Sequence, residues 1–293
     1  MPASTLPFYK VNPGGNPTIL VRDNSLFSPE VSPAKRAVIA RALMDSNCIG
    51  AEQVGFLDTS RALPHMEMMG GEFCINATRA AALVFALNGL VPETDTPGIH
   101  EGIITTSGAT EAVCVRVRRQ SSGLPPSTTT AYEAAVALLL AATARTDLAR
   151  ELAPGQVLVR LPGITHLLLD AAQYPLPDHP LVAAKGKLAE YGLEKEEAAG
   201  VIWHLPGPDG MVSITPIVHV AATNSTVVET ACGSGSLALA LVLAQSAAQT
   251  IAIRQPSGHA LTVTFEPPVT PEASMTAWIN GITRLTAKGT AYL

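Results

Sequence analysis

Two cysteines of this 293-residue chain sit in settings that a core cysteine does not require. Cys74 lies in Gly70–Thr78, GGEFCINAT, and Cys232 lies in Glu229–Ser236, ETACGSGS. In each, a glutamate precedes the cysteine, small or polar residues follow it, and an Ala/Leu/Val run of helical character begins at once. The pattern predicts a cysteine at the N-terminus of a buried helix, because a helix that is apolar all round belongs in a core. A helix N-terminus carries N–H groups without intrahelical partners and a partial positive charge, which stabilise an anion. A cysteine placed there is expected to have its pKa lowered from about 8.5 to roughly 3.5–7.5. The same amides can hold a carboxylate, and the tiny residues Gly233, Ser234 and Gly235 let a substrate approach the backbone closely. Two such ends brought together would hold one carboxylate with a sulfur on each side. The chemistry that needs acid/base groups on opposite faces of one carbon is stereochemical inversion. One thiolate removes the α-proton of an amino acid, and the opposite thiol returns a proton to the other face. Closure around the substrate would exclude water and strengthen the field on the carbanion.

The elements that position these cysteines recur along the chain. Tyr9–Val21 reads as strand, Gly-rich turn and strand, and so does Val157–Asp170, with Gly15 matching Gly163. Ala51–Leu57 and Ala199–Leu205 are matching short strands. The two cysteine motifs with their helices follow, and Ser107-Gly108 and Ser257-Gly258 each open an alternating strand. Four landmarks in one order point to an internal duplication. The expected fold class is α/β (α+β): two pseudo-symmetric domains, each a curved sheet around a central helix, with the two cysteine-bearing ends facing each other across a cleft. Ser121–Thr130, rich in Ser, Pro and Thr, reads as the crossover between halves, and the Ala/Leu-rich Ala131–Glu151 as a helix elaborating the second half.

Bulk composition narrows the function class. Hydrophobic residues make up 47% and charged residues 15%, enough for a substantial core. A net charge of -5, with no basic run longer than Arg118-Arg119, gives no support to nucleic-acid binding. The N-terminus lacks a signal-peptide pattern, and the Ser236–Ile253 stretch, broken by Gln245, Ser246 and Gln249, reads as a buried helix rather than a membrane span. A soluble, cytoplasmic protein with reduced thiols is expected. Cys48 and Cys114 lack the duplicated setting and read as core or near-surface residues. No CxxC or HExxH spacing supports a metal site, and no Walker, nucleotide or pyridoxal-phosphate pattern is present. No cofactor is expected, and the partner is a small-molecule amino acid.

The paired motifs resemble those of the diaminopimelate epimerase-like superfamily, cofactor-independent racemases and epimerases built from two similar halves. More narrowly, NPGGNPTILV (Asn12–Val21), EQVGF (Glu52–Phe56), GGEFCINAT, ACGSGS (Ala231–Ser236), RQPSG (Arg254–Gly258) and AKGTAYL (Ala287–Leu293) resemble the histidine racemases of opine-type (staphylopine-like) metallophore biosynthesis. The resemblance implies that Cys74 and Cys232 are the catalytic acid/base pair, and that amides at Ile75, Asn76, Gly233 and Ser234 bind the substrate carboxylate. It implies a substrate contact for Asn16 on the first turn, and for His166, on the corresponding turn of the second half, a place beside the catalytic pair. It also implies that Glu52 and Gln53 line the side-chain pocket, that the protein is a homodimer, and that a final strand near Ile282–Leu293 returns to the first domain. The domains are then 1–120 with 280–293, and 121–279.

Glu229 either tunes the nearby thiol or caps the helix. Glu52 heads a hydrophobic strand, where a carboxylate needs a partner, either a cation of the substrate or a salt bridge. Two positions depart from the family pattern: Ile75 stands where glycine follows the first cysteine, and Gly71 where an asparagine precedes it. Ile75 narrows the approach to the amides and Gly71 opens space nearby. An epimerase for diaminopimelate or a hydroxyproline-like imino acid is the alternative enzymatic reading. A non-catalytic amino-acid-binding relative is the alternative outside enzymes.

Overall fold

The structure is a computed structural model and describes residues 5–28, 30–120, 130–141, 147–246, 248–267 and 274–293. The expected crossover at Ser121–Thr130 lies outside the described residues except for Thr130. The chain forms two compact units, Met1–Val136 with Gly281–Leu293, and Ala137–Asn280. It passes from the first to the second within one strand and returns within another.

The first unit contains β1 (Thr5–Asn12), β2 (Thr18–Val21), α1 (Pro33–Met44), β3 (Gln53–Asp58), β4 (His65–Met68), α2 (Ile75–Leu87), β5 (Ile99–Thr106) and β6 (Val113–Arg119), and then enters β7 (Ala131–Leu140). Neighbouring strands follow chain order, and the pairing sense alternates. β1–β2 is antiparallel, β2–β3 parallel with Thr18 opposite Gln53, β3–β4 antiparallel, β4–β5 parallel and β5–β6 antiparallel. The second unit contains β8 (Ala149–Ala153), β9 (Gln156–Leu161), β10 (Ile164–Asp170), α3 (Pro180–Glu190), β11 (Ala198–Pro206), β12 (Val212–Val220), β13 (Ser225–Val228), α4 (Gly233–Leu243), β14 (Thr250–Arg254) and β15 (Ala260–Glu266), and opens β16 (Met275–Tyr292). The same alternation returns in it. β9–β10 is antiparallel, β10–β11 parallel with His166 opposite Gly200, β11–β12 antiparallel, β12–β14 parallel and β14–β15 antiparallel. The helices fall at matching places, so the duplication visible in four sequence landmarks extends to the whole strand order. The far end of β16 pairs antiparallel with β1, from Thr5 opposite Tyr292 to Asn12 opposite Arg284.

In each unit the strands surround a central helix. α2 touches all of β1 to β6, and α4 touches β8, β9, β10, β14 and β15. A helix enclosed this way has no wet face, which is why Ala, Leu and Val dominate both; Ile75 to Ala86 are all buried. Strands at the rim keep one face to water and alternate accordingly: Val113, Val115 and Val117 of β6 point inward, while Cys114, Arg116 and Arg118 point outward. β3 is buried along its whole length because α1 covers its other face, with Leu43, Val54 and Phe56 in that outer core. α3 does the same for β11, through Ala184, Leu188, Val201 and Trp203. Among the described residues no helix is long and apolar enough to cross a membrane.

The described residues of Ala131–Glu151 do not form the single helix that the composition suggests. Ala131–Leu140 is strand β7, beside β6 in the sheet, and Ala149–Ala153 is strand β8. Alanine favours helix by only tenths of a kcal/mol per residue, about 0.7 at most against ordinary residues, and a strand slot next to β6 outweighs that. Cys48 and Cys114 are both exposed.

Candidate active site

Cys74 and Cys232 are the N-caps of α2 and α4, with nearly the same backbone: φ −124°, ψ 112° for Cys74 and φ −134°, ψ 108° for Cys232. Each sulfur accepts the N–H three residues on, Ala77 to Cys74 at 3.5 Å and Gly235 to Cys232 at 3.3 Å. Each cysteine carbonyl accepts the hydroxyl four residues on, Thr78 at 2.7 Å and Ser236 at 2.7 Å. Caps are usually Ser, Thr, Asn or Asp, whose oxygens accept better than a thiol. The adjoining first-turn amides, at Ile75 and Asn76 and at Gly233 and Ser234, belong to the group of helix N–H donors without intrahelical acceptors. Ile75 is buried, and nothing lies within 4 Å of a Cβ built on Gly71.

The turn after β5 holds the segment before Cys74 in place. Ser107 donates to the Glu72 carbonyl at 2.9 Å and accepts from Met68 N at 2.8 Å. Gly108 has φ +70°, and a Cβ there would lie 2.2 Å from Phe73 N, so only glycine fits. The carboxyl of Glu72 is pushed up by burial, and its Oε2 has no hydrogen-bond partner among the described residues. In the second unit, Ser257 N donates to the Thr230 carbonyl at 2.9 Å. Gln255 Oε1 there accepts from Cys232 N at 2.9 Å, while its Nε2 donates to Ser236 Oγ and to the Ile253 carbonyl, each at 3.0 Å. Gln255 lies within the RQPSG motif, yet its type and spacing alone carry no signal for this role.

Behind each sulfur stands a neutral polar side chain from the same place in the parallel ladder. In the first unit Thr18 is small and Gln53 opposite it is long: Gln53 Nε2 donates to Thr18 Oγ1 at 2.8 Å, and its Oε1 accepts from Cys74 Sγ at 3.2 Å. Thr18 Oγ1 donates in turn to the carbonyl of Asn16 at 3.1 Å. Asn16 is buried in the β1–β2 turn with φ 55°, a left-handed conformation that asparagine tolerates better than most residues. The structure thus joins Asn16, Gln53 and Cys74 in one network, with Glu52 half-buried beside it.

In the second unit the sizes are exchanged. His166 is the large member, and Gly200 opposite it has no side chain; a Cβ there would lie 2.3 Å from His166 Nδ1. The freed space lets the fully buried imidazole bring Nε2 to 2.9 Å from Ser234 Oγ, which is 3.5 Å from Cys232 Sγ. Nδ1 is buried without a hydrogen-bond partner among the described residues. An orphan acceptor is better tolerated than an orphan donor, which puts the proton on Nε2 and points the Ser234 hydroxyl at the sulfur. Burial pulls the His166 pKa from 6.5 to about 3, so the ring is neutral. His166 lies inside strand β10, not on a turn as expected. The Pro162-Gly163 connection is so short that β10 has begun at Ile164, whereas the first half spans Pro13 to Pro17 before β2 begins.

The expectation of a lowered pKa at both cysteines fails at Cys232. Its pKa is raised well above the ordinary thiol value, by complete burial first and the nearby Glu229 carboxylate second. The Gly235 N–H and the Ser234 hydroxyl pull the other way and are outweighed. Glu229 adds to the effect of burial on the thiol.

Comparison with known proteins gives the family and the fold. Residues 5–292 match the family model of the histidine racemase CntK N-terminal domain. A histidine racemase of Fusobacterium nucleatum subsp. nucleatum is 28% identical over 240 residues, 81% of this chain and 80% of that protein. A histidine racemase of Staphylococcus aureus is 37% identical over 82 residues, 27% of this chain and 28% of its own. The solved structure of a hydroxyproline epimerase from Agrobacterium vitis, with bound trans-4-hydroxy-L-proline, superposes over 99% of this chain and 93% of its own, with a TM-score of 0.62 and 13% identity. At that identity the likeness is one of fold.

Proposed function

The chain belongs to the histidine racemase family and is an amino-acid racemase, and on that premise we propose that it interconverts L- and D-histidine with Cys74 and Cys232 as its two bases. The observation that carries this reading is the repeated cap: two cysteines with nearly the same backbone angles, the same N–H on sulfur and the same hydroxyl on the carbonyl. Nothing in helix capping alone calls for cysteine at both places.

In the proposed reaction the substrate carboxylate sits on the first-turn amides of Ile75, Asn76, Gly233 and Ser234. One thiolate takes the α-proton, and the electron pair of that C–H bond passes into the carboxylate. The opposite thiol then gives its proton to the other face of the α-carbon. The sulfurs finish with their protonation states exchanged, and the same steps run in reverse from the other enantiomer. Gln53 and the His166–Ser234 pair steady the sulfurs with neutral groups, which can serve either charge state. Glu52 and Asn16 face the remainder of the substrate in this proposal. No cofactor takes part, the working form is a homodimer, and the D-histidine supplies metallophore synthesis.

The test is chiral chromatography of L-histidine incubated with the purified, reduced protein. D-Histidine should form with the parent, and its formation should fall by about 100-fold or more with Cys74→Ser or Cys232→Ser, the range of an acid/base group. Undiminished racemisation by either variant removes that cysteine from the mechanism. Racemisation of a different amino acid in a substrate panel would move the substrate and leave the mechanism standing.

A further inference from the structure

The hydrogen bonds behind Cys74 run in one direction, and a backbone group fixes it. Thr18 is wholly buried at the start of β2. Its hydroxyl donates to the Asn16 carbonyl at 3.1 Å, and a carbonyl can only accept. With its one hydrogen spent there, Thr18 Oγ1 can only accept from Gln53, so the Gln53 amide turns its Nε2 to Thr18, at 2.8 Å. An amide with its nitrogen on one side has its oxygen on the other, and Gln53 Oε1 lies 3.2 Å from Cys74 Sγ. That oxygen is again only an acceptor, so the hydrogen between them belongs to the sulfur. Cys74 is therefore a thiol in the substrate-free protein.

The Ala77 N–H on the same sulfur, at 3.5 Å, is compatible with this. A thiol can give one hydrogen bond and accept another, whereas a thiolate would set its charge against the lone pairs of Gln53 Oε1. Cys232 is surrounded differently. It receives the Gly235 N–H at 3.3 Å, and its other neighbour is the Ser234 hydroxyl at 3.5 Å, a group able to donate or accept. Rotation of that hydroxyl serves either charge on Cys232. At Cys74 the same service requires the Gln53 amide to turn over. The two sulfurs thus share a cap and differ in what stands behind it.

The ionisable groups around α2 are bonded to other partners. Arg79, five residues beyond Cys74 and wholly buried, gives its donors to the Ala134, Pro13 and Ile282 carbonyls, Asn76 Oδ1 and Thr283 Oγ1. Tyr9 and Arg22 bond Asn88 at the far end of the helix, with Lys288 over the Tyr9 ring. Lys10 bonds the Ile49 carbonyl, Asp58 bonds Ser60 and Arg61, and Glu67 bonds Arg36. His65 and His100 bond Thr105 and the Val91 carbonyl, and Arg116 and Arg118, on the outer face of β6, pair with Glu101 and Glu133. Glu72, close to Cys74 in sequence, has its carboxyl pushed up by burial and so leans toward its neutral form. Glu52, next to Gln53 in the chain, is half-buried.

We propose that Thr18 is a positioning residue that acts through Gln53, setting the amide so that Cys74 waits for substrate as the thiol and enters the reaction as a proton donor. Once Cys74 has given its proton to the α-carbon, the amide turns over and offers an Nε2 hydrogen to the thiolate, and the Thr18 hydroxyl swings from the Asn16 carbonyl to Gln53 Oε1. That turnover gains and loses no proton. The hydrogen bond given up at the Asn16 carbonyl returns the network to its first setting when Cys74 is protonated again. Both ends of the Gln53 amide are engaged in this way, which assigns Gln53 to the sulfur rather than to the substrate side chain. The assignment rests on the reading of the two cysteines as the acid/base pair.

The test reads the sulfur directly. Alkylation of Cys74 by iodoacetamide is followed against pH by peptide mass spectrometry, which separates it from Cys48, Cys114 and Cys232. Thr18→Val keeps the branched shape and removes the hydroxyl, leaving the amide free to turn an N–H to the sulfur. The alkylation midpoint should fall by about half a unit or more, roughly threefold more reactivity at neutral pH. Thr18→Ser, which keeps the hydroxyl, should hold the parent midpoint. A midpoint that stays or rises in Thr18→Val with its circular dichroism retained overturns the proposal, and so does an equal fall in Thr18→Ser. The parent supplies a second reading that needs no Thr18 variant to fold: its infrared spectrum at neutral pH should contain an S–H stretching band that is lost in Cys74→Ser. Identical S–H bands in the two proteins would make Cys74 a thiolate and overturn the proposal. If Cys74→Ser retains racemase activity, the acid/base reading fails separately, since neither the midpoint nor the band depends on catalysis.

Discussion

Gly200→Ala should be destabilising for a reason specific to this fold. The backbone of Gly200 is not left-handed, and in a strand alanine would ordinarily help, by about 0.4–1 kcal/mol through the unfolded chain. Here the added Cβ would stand 2.3 Å from His166 Nδ1 and 2.8 Å from Cε1. The imidazole is fully buried and tied by Nε2 to Ser234 Oγ at 2.9 Å, so it cannot swing aside without breaking that bond. Overpacking of this kind costs about 1–3 kcal/mol, leaving a net loss of roughly 0–2.6 kcal/mol, about 1.3 at the centre of the range, once the gain through the unfolded chain is subtracted. Urea unfolding of Gly200→Ala, His166→Ala and the double variant measures it. The Gly200→Ala change should be harmful beside the native imidazole and harmless or helpful in the His166→Ala background. The coupling should reach at least about 0.5 kcal/mol, as expected for residues in contact. Gly200→Ala as stable as the parent, or equally costly in both backgrounds, would refute the packing argument and with it the placing of His166 against Ser234.

Further expectations concern the caps and the titrating groups. Thr78→Val removes one buried hydroxyl–carbonyl bond and should cost about 0.5–1.5 kcal/mol; Ser236→Ala should cost more, because Gln255 Nε2 also loses an acceptor. Both are read by chemical denaturation. His166 gives stability a defined acid dependence: the unfolded ring binds its proton near 6.5 and the buried ring only near about 3. The unfolded state therefore holds more protons in that window, and the stabilisation present above pH 6.5 is lost as pH falls toward 3; His166→Asn should flatten that limb. Glu229→Gln removes the carboxylate that raises Cys232, so Cys232 should become reactive toward iodoacetamide at a lower pH. An unshifted profile would show that burial alone sets the thiol.

How much of this is legible in the residues depends on which force decides each point. The two cysteine caps can be read because the duplication shows each motif twice, followed by a helix apolar enough to have only one place to go. The strands around Gly15 and Gly163 can be read from their turns. Ala131–Leu140 cannot, because an alanine-rich run has a helical preference too weak to resist a strand slot. Matching Gly163 to Gly15 puts His166 on a turn, yet a two-residue connection leaves no room for a long one. The raised thiol of Cys232 is hidden because the helix terminus and burial act in opposite directions there, and only the three-dimensional surroundings show that burial prevails. Arg79, fully buried, does carry a signal: it is the one charged residue of α2, five residues past Cys74. Gln255 and the exchange of bulk between Thr18–Gln53 and His166–Gly200 depend on strand register, which no local motif announces.

The two-base assignment is tested most directly by following both enantiomers of histidine, by proton NMR and chiral chromatography, early in a reaction started from L-histidine in D2O. A sulfur on each face requires that newly formed D-histidine carry solvent deuterium at the α-carbon while the remaining L-histidine still carries protium. Protium retained in the D-histidine, or α-deuterium entering L-histidine as fast as D-histidine forms, would contradict two opposed bases. Absence of any α-proton exchange by the reduced protein would contradict racemisation of histidine itself.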